Sequence, residues 1–328
     1  MRAAQAFQHN TIVEKQQLTF EKDVLAGLQL QPKRLYSKYF YDAKGDALFQ
    51  QIMHCPEYYL TRCEMDILRG QSEKIVQAVR RHAPGFDLVE LGAGDASKSF
   101  FLLKEMLRMG VTDTYFPIDI SPNIITQLQQ SLPAKLPGLQ VQGLNGEYME
   151  MLQAAGQITA QQKLVMFMGS SIGNFTPAEA VQFCTRLRQQ LRPGDLVLIG
   201  FDLRKNPQTI LDAYNDKGGI TRAFNLNLLE RINRELDGNF DISQFEHYPT
   251  YDPVSGACKS FLISKREQAV EIAGQTVRFG ANEPVYMEIS QKYDMEEINE
   301  LASRSGFRPV EFFYDSKRWF TDVLWQCR

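Results

Sequence analysis

The stretch LVELGAGDASKS, residues 88–99, most tightly limits what this chain can fold into. An apolar run of strand length carries an acid, two glycines stand one residue apart, and small polar residues lead into a helical pattern. Strand, glycine turn and helix start in that order are the opening of a parallel α/β sheet. Gly92 and Gly94 let the backbone turn sharply and approach a ligand with no Cβ in the way, while the helix start offers free N–H groups. A dinucleotide fingerprint needs a third glycine at position 97 to admit a pyrophosphate. Ser97 stands there, which turns the reading away from dinucleotides.

The same alternation continues along the chain. FDLVEL (86–91), TYFPIDI (114–120), KLVMFM (163–168) and DLVLIGFD (195–202) are apolar runs of strand length. Segments of helical pattern lie between them at 98–107, 123–132 and 177–191. Strands alternating with helices imply a parallel sheet covered on both faces, with ligands at the carboxyl ends of its strands. After Asp202 the pattern changes. A helical stretch broken at Gly218 and Gly219 precedes ACKSFLISKRE, QAVEIAGQTVRFG and PVYMEISQKY, which alternate like antiparallel strands, the second with a turn at Ala273 and Gly274. A last helix, MEEINELASRSGF, ends at Gly306, and PVEFFYD and WFTDVLW are expected to close the sheet as an antiparallel pair. The expected organisation is an α/β core, 62–204 plus 293–328, interrupted by a smaller α+β domain, 205–292, that recruits residues 1–61.

Charge and composition narrow the partners. With 36 basic and 39 acidic residues the formal charge is -3, so no basic footprint for nucleic acid or an anionic membrane is visible. No run of roughly 18 apolar residues is present, and the amino terminus MRAAQAFQHNTIVEKQQ lacks a signal-type apolar stretch, so a cytoplasmic protein is expected. Five scattered cysteines and four histidines form no metal-ligand spacing, and no metal is expected. A small molecule is the expected partner, and a monomer the expected state.

A nucleoside without phosphates fits the glycine turn better than a dinucleotide does. Asp119 ends the second strand in YFPIDIS, where a carboxylate can accept both ribose hydroxyls while an amino-acid tail lies over the turn. This is the layout of class I S-adenosylmethionine-dependent methyltransferases.

The chain resembles one family of these more closely: the histidine Nα-methyltransferases, which make hercynine in ergothioneine biosynthesis. The motifs that carry the resemblance are KYFYDAKGDALFQQIMHCPEYYLTRCE, VELGAGDASKS, FPIDIS, MGSSIGNF, GFDLRKNPQTILDAYND, AFNLNLLERINREL, FEHY and EISQKY, which together span roughly residues 30–328. The resemblance implies a Rossmann-like class I domain with a seven-stranded sheet and an inserted substrate-binding domain. It implies a cofactor site for S-adenosylmethionine in which Gly92, Gly94 and Gly169 form turns, Lys98 reaches the methionyl carboxylate and Asp119 holds the ribose. Glu147 and Tyr148 fall where the family usually has Asp-Phe, the acid accepting from the adenine amino group and the ring packing on the base.

On the substrate side the resemblance implies that Asn174 and Tyr214 hydrogen-bond the carboxylate of a free amino acid. Tyr41 and Tyr58 lie beside the carboxylate and amine, and Phe49 and Ser171 complete the lining. Tyr41, Asn174 and Tyr214 are the expected catalytic set: Tyr41, with water, orients the amine and passes its proton out, while the other two fix the carboxylate. Glu288 and Ser290, two apart on an extended strand, point to one face and could satisfy both imidazole nitrogens of histidine. Ser260 stands where the histidine enzymes commonly carry a methionine packed on the imidazole, which would widen the pocket or admit a different amine.

The expected reaction is methyl transfer to the α-amine of histidine, up to three times, giving trimethylhistidine. One rival is an N-methyltransferase for tryptophan or another aromatic amine, favoured by Ser260 and opposed by Glu288. The other is a non-catalytic S-adenosylmethionine-binding regulatory module, opposed by the matches at Asp119, Asn174, Tyr214 and Glu288.

Overall fold

The structure is a computed structural model that describes residues 17–82, 85–112 and 114–328. Residues 1–16, which hold nearly all of the amino-terminal stretch read above, lie outside the described residues. The chain divides into two compact units, one of Leu60–Lys205 with Gln291–Arg328 and one of Met1–Tyr59 with Asn206–Ser290.

The first unit is built on a mostly parallel sheet. Its centre is β2 (Asp87–Leu91), β3 (Thr114–Asp119), β6 (Lys163–Phe167) and β7 (Leu196–Asp202), and β2, β6 and β7 are buried at every position. Near-continuous apolar runs are what a strand covered on both faces requires. The order runs β13-β14-β7-β6-β2-β3, with β4 (Gln140–Val141) and β5 (Leu144–Asn145) both paired to β3 along the far edge. That edge is one strand position broken at Gly143. The sheet therefore counts eight strands where a seven-stranded one was expected, with the same path. β13 (Phe307–Tyr314) and β14 (Phe320–Cys327) form the expected antiparallel pair, and β14 runs antiparallel to β7.

Local sequence starts and stops the helices around this sheet. α7 (Pro177–Gln189) and α10 (Met295–Arg304) open with reciprocal caps, Thr176 with Glu179 and Asp294 with Glu297, each satisfying two backbone donors. α10 gives way to Gly306 at φ +84°, the left-handed stop expected there. Strand order reverses beside β2: the chain goes from β2 to β3 on one side and later returns to β6 on the other. The carboxyl ends of β2 and β6 thus flank the switch point at which open α/β sheets bind ligands.

The second unit carries a four-stranded sheet ordered β1 (Lys33–Arg34), β12 (Pro284–Gln291), β9 (Ala257–Ser264), β8 (Phe245–Tyr251), and a hairpin of β10 (Gln268–Ile272) and β11 (Gln275–Phe279). The hairpin turns at Ala273 and Gly274, both at positive φ, as a two-residue turn of this hand requires. Helix α1 (residues 17–29), α2 (Ala43–His54) and α9 (Ile220–Glu235) pack their apolar faces into its core with Phe245, Leu262 and Val285. Strand β8 was not expected. Pro249 interrupts its pattern, which the sheet tolerates because β8 is an edge strand. The helical stretch after Asp202 resolves into α8 (Pro207–Ala213) and α9, parted at the expected Gly-Gly break. Among the described residues no helix is long and apolar enough to cross a membrane.

Asp216 starts α9: its buried carboxylate accepts from the backbone N–H of Ile220 at 2.8 Å and of Thr221 at 2.7 Å. Burial opposes its charge, but these bonds outweigh it and hold the carboxyl below its ordinary value. Asp216→Ala should therefore lower the unfolding free energy by about 1–2 kcal/mol in urea titrations, the usual cost of losing a helix cap; an unchanged midpoint would show that the cap is dispensable.

Candidate active site

The glycine turn follows β2 directly. Gly92 (φ +73°) and Gly94 (φ +52°) both take left-handed conformations, and a Cβ on Gly92 would come within 2.8 Å of the Tyr148 hydroxyl. The missing side chain is what lets the tyrosine, at the start of α6 (Tyr148–Ile158), lie against the turn. Its ring meets Phe167 edge-on at 5.8 Å, and burial, helped by Asp119 and Glu147, pushes its hydroxyl up to about 12, so it stays a neutral donor. Glu147 is the N-cap of α6, but its side chain makes no capping bond there and is exposed.

Asp119 is held by backbone donors. One oxygen accepts from Ser121 N–H at 2.9 Å and the other from Gly94 N–H at 3.2 Å. Each oxygen keeps a lone pair, so the oriented carboxylate can still accept a pair of vicinal hydroxyls.

Gly169 (φ +75°) follows β6, across the switch point, and a Cβ there would lie 3.2 Å from the Lys98 ammonium. Lys98 pairs with Glu64 of α3 (Leu60–Arg80), whose other oxygen accepts from Gly169 N–H at 2.6 Å. Burial works against the Lys98 charge, and Glu64 more than offsets it, so the ammonium is held above the ordinary lysine value. Next come Ser170, at φ +57°, and a short 3-10 turn, Ser171–Asn174, in which Ser171 donates to Met168 O at 2.7 Å and Asn174 is exposed. The expected cofactor residues Gly92, Gly94, Lys98, Asp119, Tyr148 and Gly169 thus cluster at the carboxyl edge of one sheet.

The second unit gathers the expected substrate residues by aromatic contact. Tyr41, 41% exposed, meets Phe49 edge-on at 5.6 Å; Phe49 meets Tyr58 at 6.5 Å; Tyr58 meets Tyr214 at 6.2 Å. Phe224 of α9 supports both Tyr41 and Phe49, a role the sequence did not announce. The chain of rings ends on a hydrogen bond of 2.7 Å between the Tyr214 and Ser290 hydroxyls. Along β12, Val285, Met287 and Ile289 are buried while Tyr286 and Glu288 are half-buried, so Glu288 alternates with the core positions and falls in step with Ser290.

Ser260 has a different setting. It is buried, donates to Asn225 Oδ1 at 2.8 Å and lies 2.8 Å from His247 Nε2. A hydroxyl has one proton, and Asn225 receives it, so the imidazole must donate from Nε2. Asn225 in turn donates to Thr221 O at 3.0 Å. Neither Asn225 nor His247 was singled out from the sequence, because each lies far from Ser260 along the chain.

A turn whose missing Cβ atoms leave room at the switch point, an oriented carboxylate for a diol and a lysine held charged beside them fit S-adenosylmethionine. They define a class I methyltransferase that uses this cofactor. The comparisons narrow the class. The family described as histidine-specific methyltransferase, SAM-dependent, matches over residues 20–327, and the chain belongs to it. Similar proteins include histidine N-alpha-methyltransferases of Mycobacterium tuberculosis (34% identical, covering 93% of this chain and 92% of the relative) and Mycolicibacterium smegmatis (36% identical, 90% of each). Another is ergothioneine biosynthesis protein 1 of Neurospora crassa, 30% identical over 85% of this chain and 32% of that much longer protein.

The Ser260 cluster generates a pH prediction. Burial lowers the His247 pKa from 6.5 to about 4, below its unfolded value, so the unfolded chain takes up the proton first. The stability this neutral ring contributes is complete above pH 6.5 and is lost as pH falls toward 4. Between pH 7.5 and 5 the native chain should lose about 2 kcal/mol more unfolding free energy than His247→Gln. Parallel curves for the two proteins would place the imidazole in water.

Proposed function

We propose that this enzyme transfers methyl groups from S-adenosylmethionine to the α-amine of L-histidine, up to three times, to give hercynine. The observation that carries the substrate assignment is the line of Tyr41, Phe49, Tyr58 and Tyr214 ending on Ser290, with Glu288 in step on the same strand. It offers an aromatic wall, hydroxyl donors and one carboxylate, the complement of an imidazole amino acid.

Bound S-adenosylmethionine supplies an electrophilic methyl on a sulfonium, so the chain's own work is to bind, align and keep water out. Gly92, Gly94 and Gly169 give the backbone room, Asp119 takes the ribose hydroxyls, Lys98 takes the methionyl carboxylate, and Tyr148 and Glu147 take the adenine. Tyr214 holds the substrate carboxylate through its hydroxyl, the role that the resemblance also gives Asn174. Glu288 accepts from one imidazole nitrogen and Ser290 meets the other. Tyr41, half in solvent, orients the amine and passes its proton to water, leaving a lone pair free to attack. A neutral amine remains after each of the first two transfers once a proton is lost, and none after the third, which sets the limit of three.

Glu288→Ala tests the assignment. Leaving the imidazole N–H without its acceptor should lower kcat/KM for histidine by roughly tenfold or more, the cost of one unsatisfied buried polar group, and narrow the discrimination against phenylalanine. The readout is product mass with each free amino acid. Trimethylhistidine from the native enzyme supports the reading; methylation of tryptophan with histidine untouched overturns the substrate while leaving the cofactor site intact.

A further inference from the structure

Glu64 is fully buried on a helix that ordinarily would show its acids to water, and two glycines are fitted around it. A Cβ on Gly200, in the middle of β7, would stand 2.5 Å from Glu64 Oε1, and Gly169 gives its N–H to the same oxygen. The second oxygen holds Lys98, whose side chain is 22% exposed. Three segments distant in sequence, α3, the turn after β2 and the turn after β6, thus meet on one carboxylate.

We propose that Glu64 is a positioning residue for cofactor binding: it fixes the Lys98 ammonium and the Gly169 turn in the arrangement that receives the cofactor's carboxylate. The proposal rests on the reading that Lys98 meets that carboxylate. A lysine side chain free to rotate spreads its charge over many positions, and ordering it on binding costs affinity. Anchored by Glu64, the ammonium is ordered beforehand and still has hydrogen-bond donors to spare.

The charged groups facing Lys98 make the cluster unusual. They are Glu64 on α3, Glu90 on β2 and Asp322 on β14. Asp322 is completely buried with neither oxygen hydrogen-bonded, and burial, followed by the Glu64 charge, raises its carboxyl well above the ordinary value. Burial likewise lifts Glu90 to about 7, against hydrogen bonds from Tyr115 and Ser99. Glu64, in contact with the ammonium, gives the largest of the carboxylate influences that hold Lys98 charged, ahead of Glu90 and Asp322. Without it the ammonium loses its anchor and its strongest electrostatic support, and with them its fixed hold on an anion.

Calorimetry separates the possibilities. Titrations would compare S-adenosylmethionine with decarboxylated S-adenosylmethionine, which lacks the group Lys98 is read to bind. Native protein should bind S-adenosylmethionine the more tightly. Glu64→Gln should bind it at least tenfold more weakly than the native protein does, and bind the decarboxylated analogue as the native protein does. Glu64→Asp, which keeps the charge, should recover part of that loss. Gly200→Ala, which leaves every functional group in place but crowds Glu64, should weaken S-adenosylmethionine alone, and it keeps the test alive if Glu64→Gln does not fold. Equal weakening of both ligands would make Glu64 merely structural and overturn the proposal, as would native-like binding by Glu64→Gln. Lys98→Met separates the underlying reading: if it binds both ligands like the native protein, the Lys98 assignment itself is wrong.

Discussion

Backbone N–H groups at tight turns and helix starts must find acceptors when the chain folds over them, and here buried and half-buried carboxylates take several of the decisive ones. Asp119 accepts from Gly94 and Ser121, Glu64 from Gly169, and Asp216 from Ile220 and Thr221. Each turn so fixed belongs to the proposed cofactor cradle or to the helix whose Phe224 supports Tyr41 and Phe49. An unpaired buried donor would cost about 1–3 kcal/mol, so these carboxylates are tied to the fold before any ligand arrives. They remain available because a carboxylate has more lone pairs than one N–H uses. On the proposed reading Asp119 and Glu64 therefore serve both stability and recognition, while Asp216 serves stability alone.

The proposed substrate side is held together differently. Edge-to-face rings hold one another at centroid distances of 5.6 to 6.5 Å along the line from Tyr41 to Tyr214, and the last meets the Ser290 hydroxyl on β12. Such contacts orient rings without charge. A methyl transfer from a sulfonium needs alignment above all, and on the proposed reading neutral donors supply it beside the amine, while the one carboxylate, Glu288, is turned to the imidazole. The imidazole at His247 adds a buried neutral network behind the sheet, joining Ser260 to α9 through Asn225.

Much of this was legible in the sequence where period and residue chemistry coincide. The four central strands read as apolar runs because both faces are covered, and the glycine turn, Asp119 and the stop at Gly306 read from backbone conformations few other residues provide. Strands β4 and β5 are two residues each, too short to carry a period, and Pro249 masked the edge strand β8. Glu64 escaped because an acid in an amphipathic helix reads as a solvated one; its burial depends on Gly200 and Lys98, which approach it only in three dimensions. Ser260 was legible as a departure from the family pattern, but its partners, Asn225 and His247, were not, since strand alternation gives a face and not a neighbour.

The most direct measurement is a crystal structure of the enzyme with S-adenosylhomocysteine and histidine. The account predicts the histidine imidazole within hydrogen-bond distance of both Glu288 and Ser290, with its carboxylate on the Tyr214 hydroxyl. An imidazole turned away from Glu288, or a histidine bound outside the ring of Tyr41, Phe49, Tyr58 and Tyr214, would contradict it.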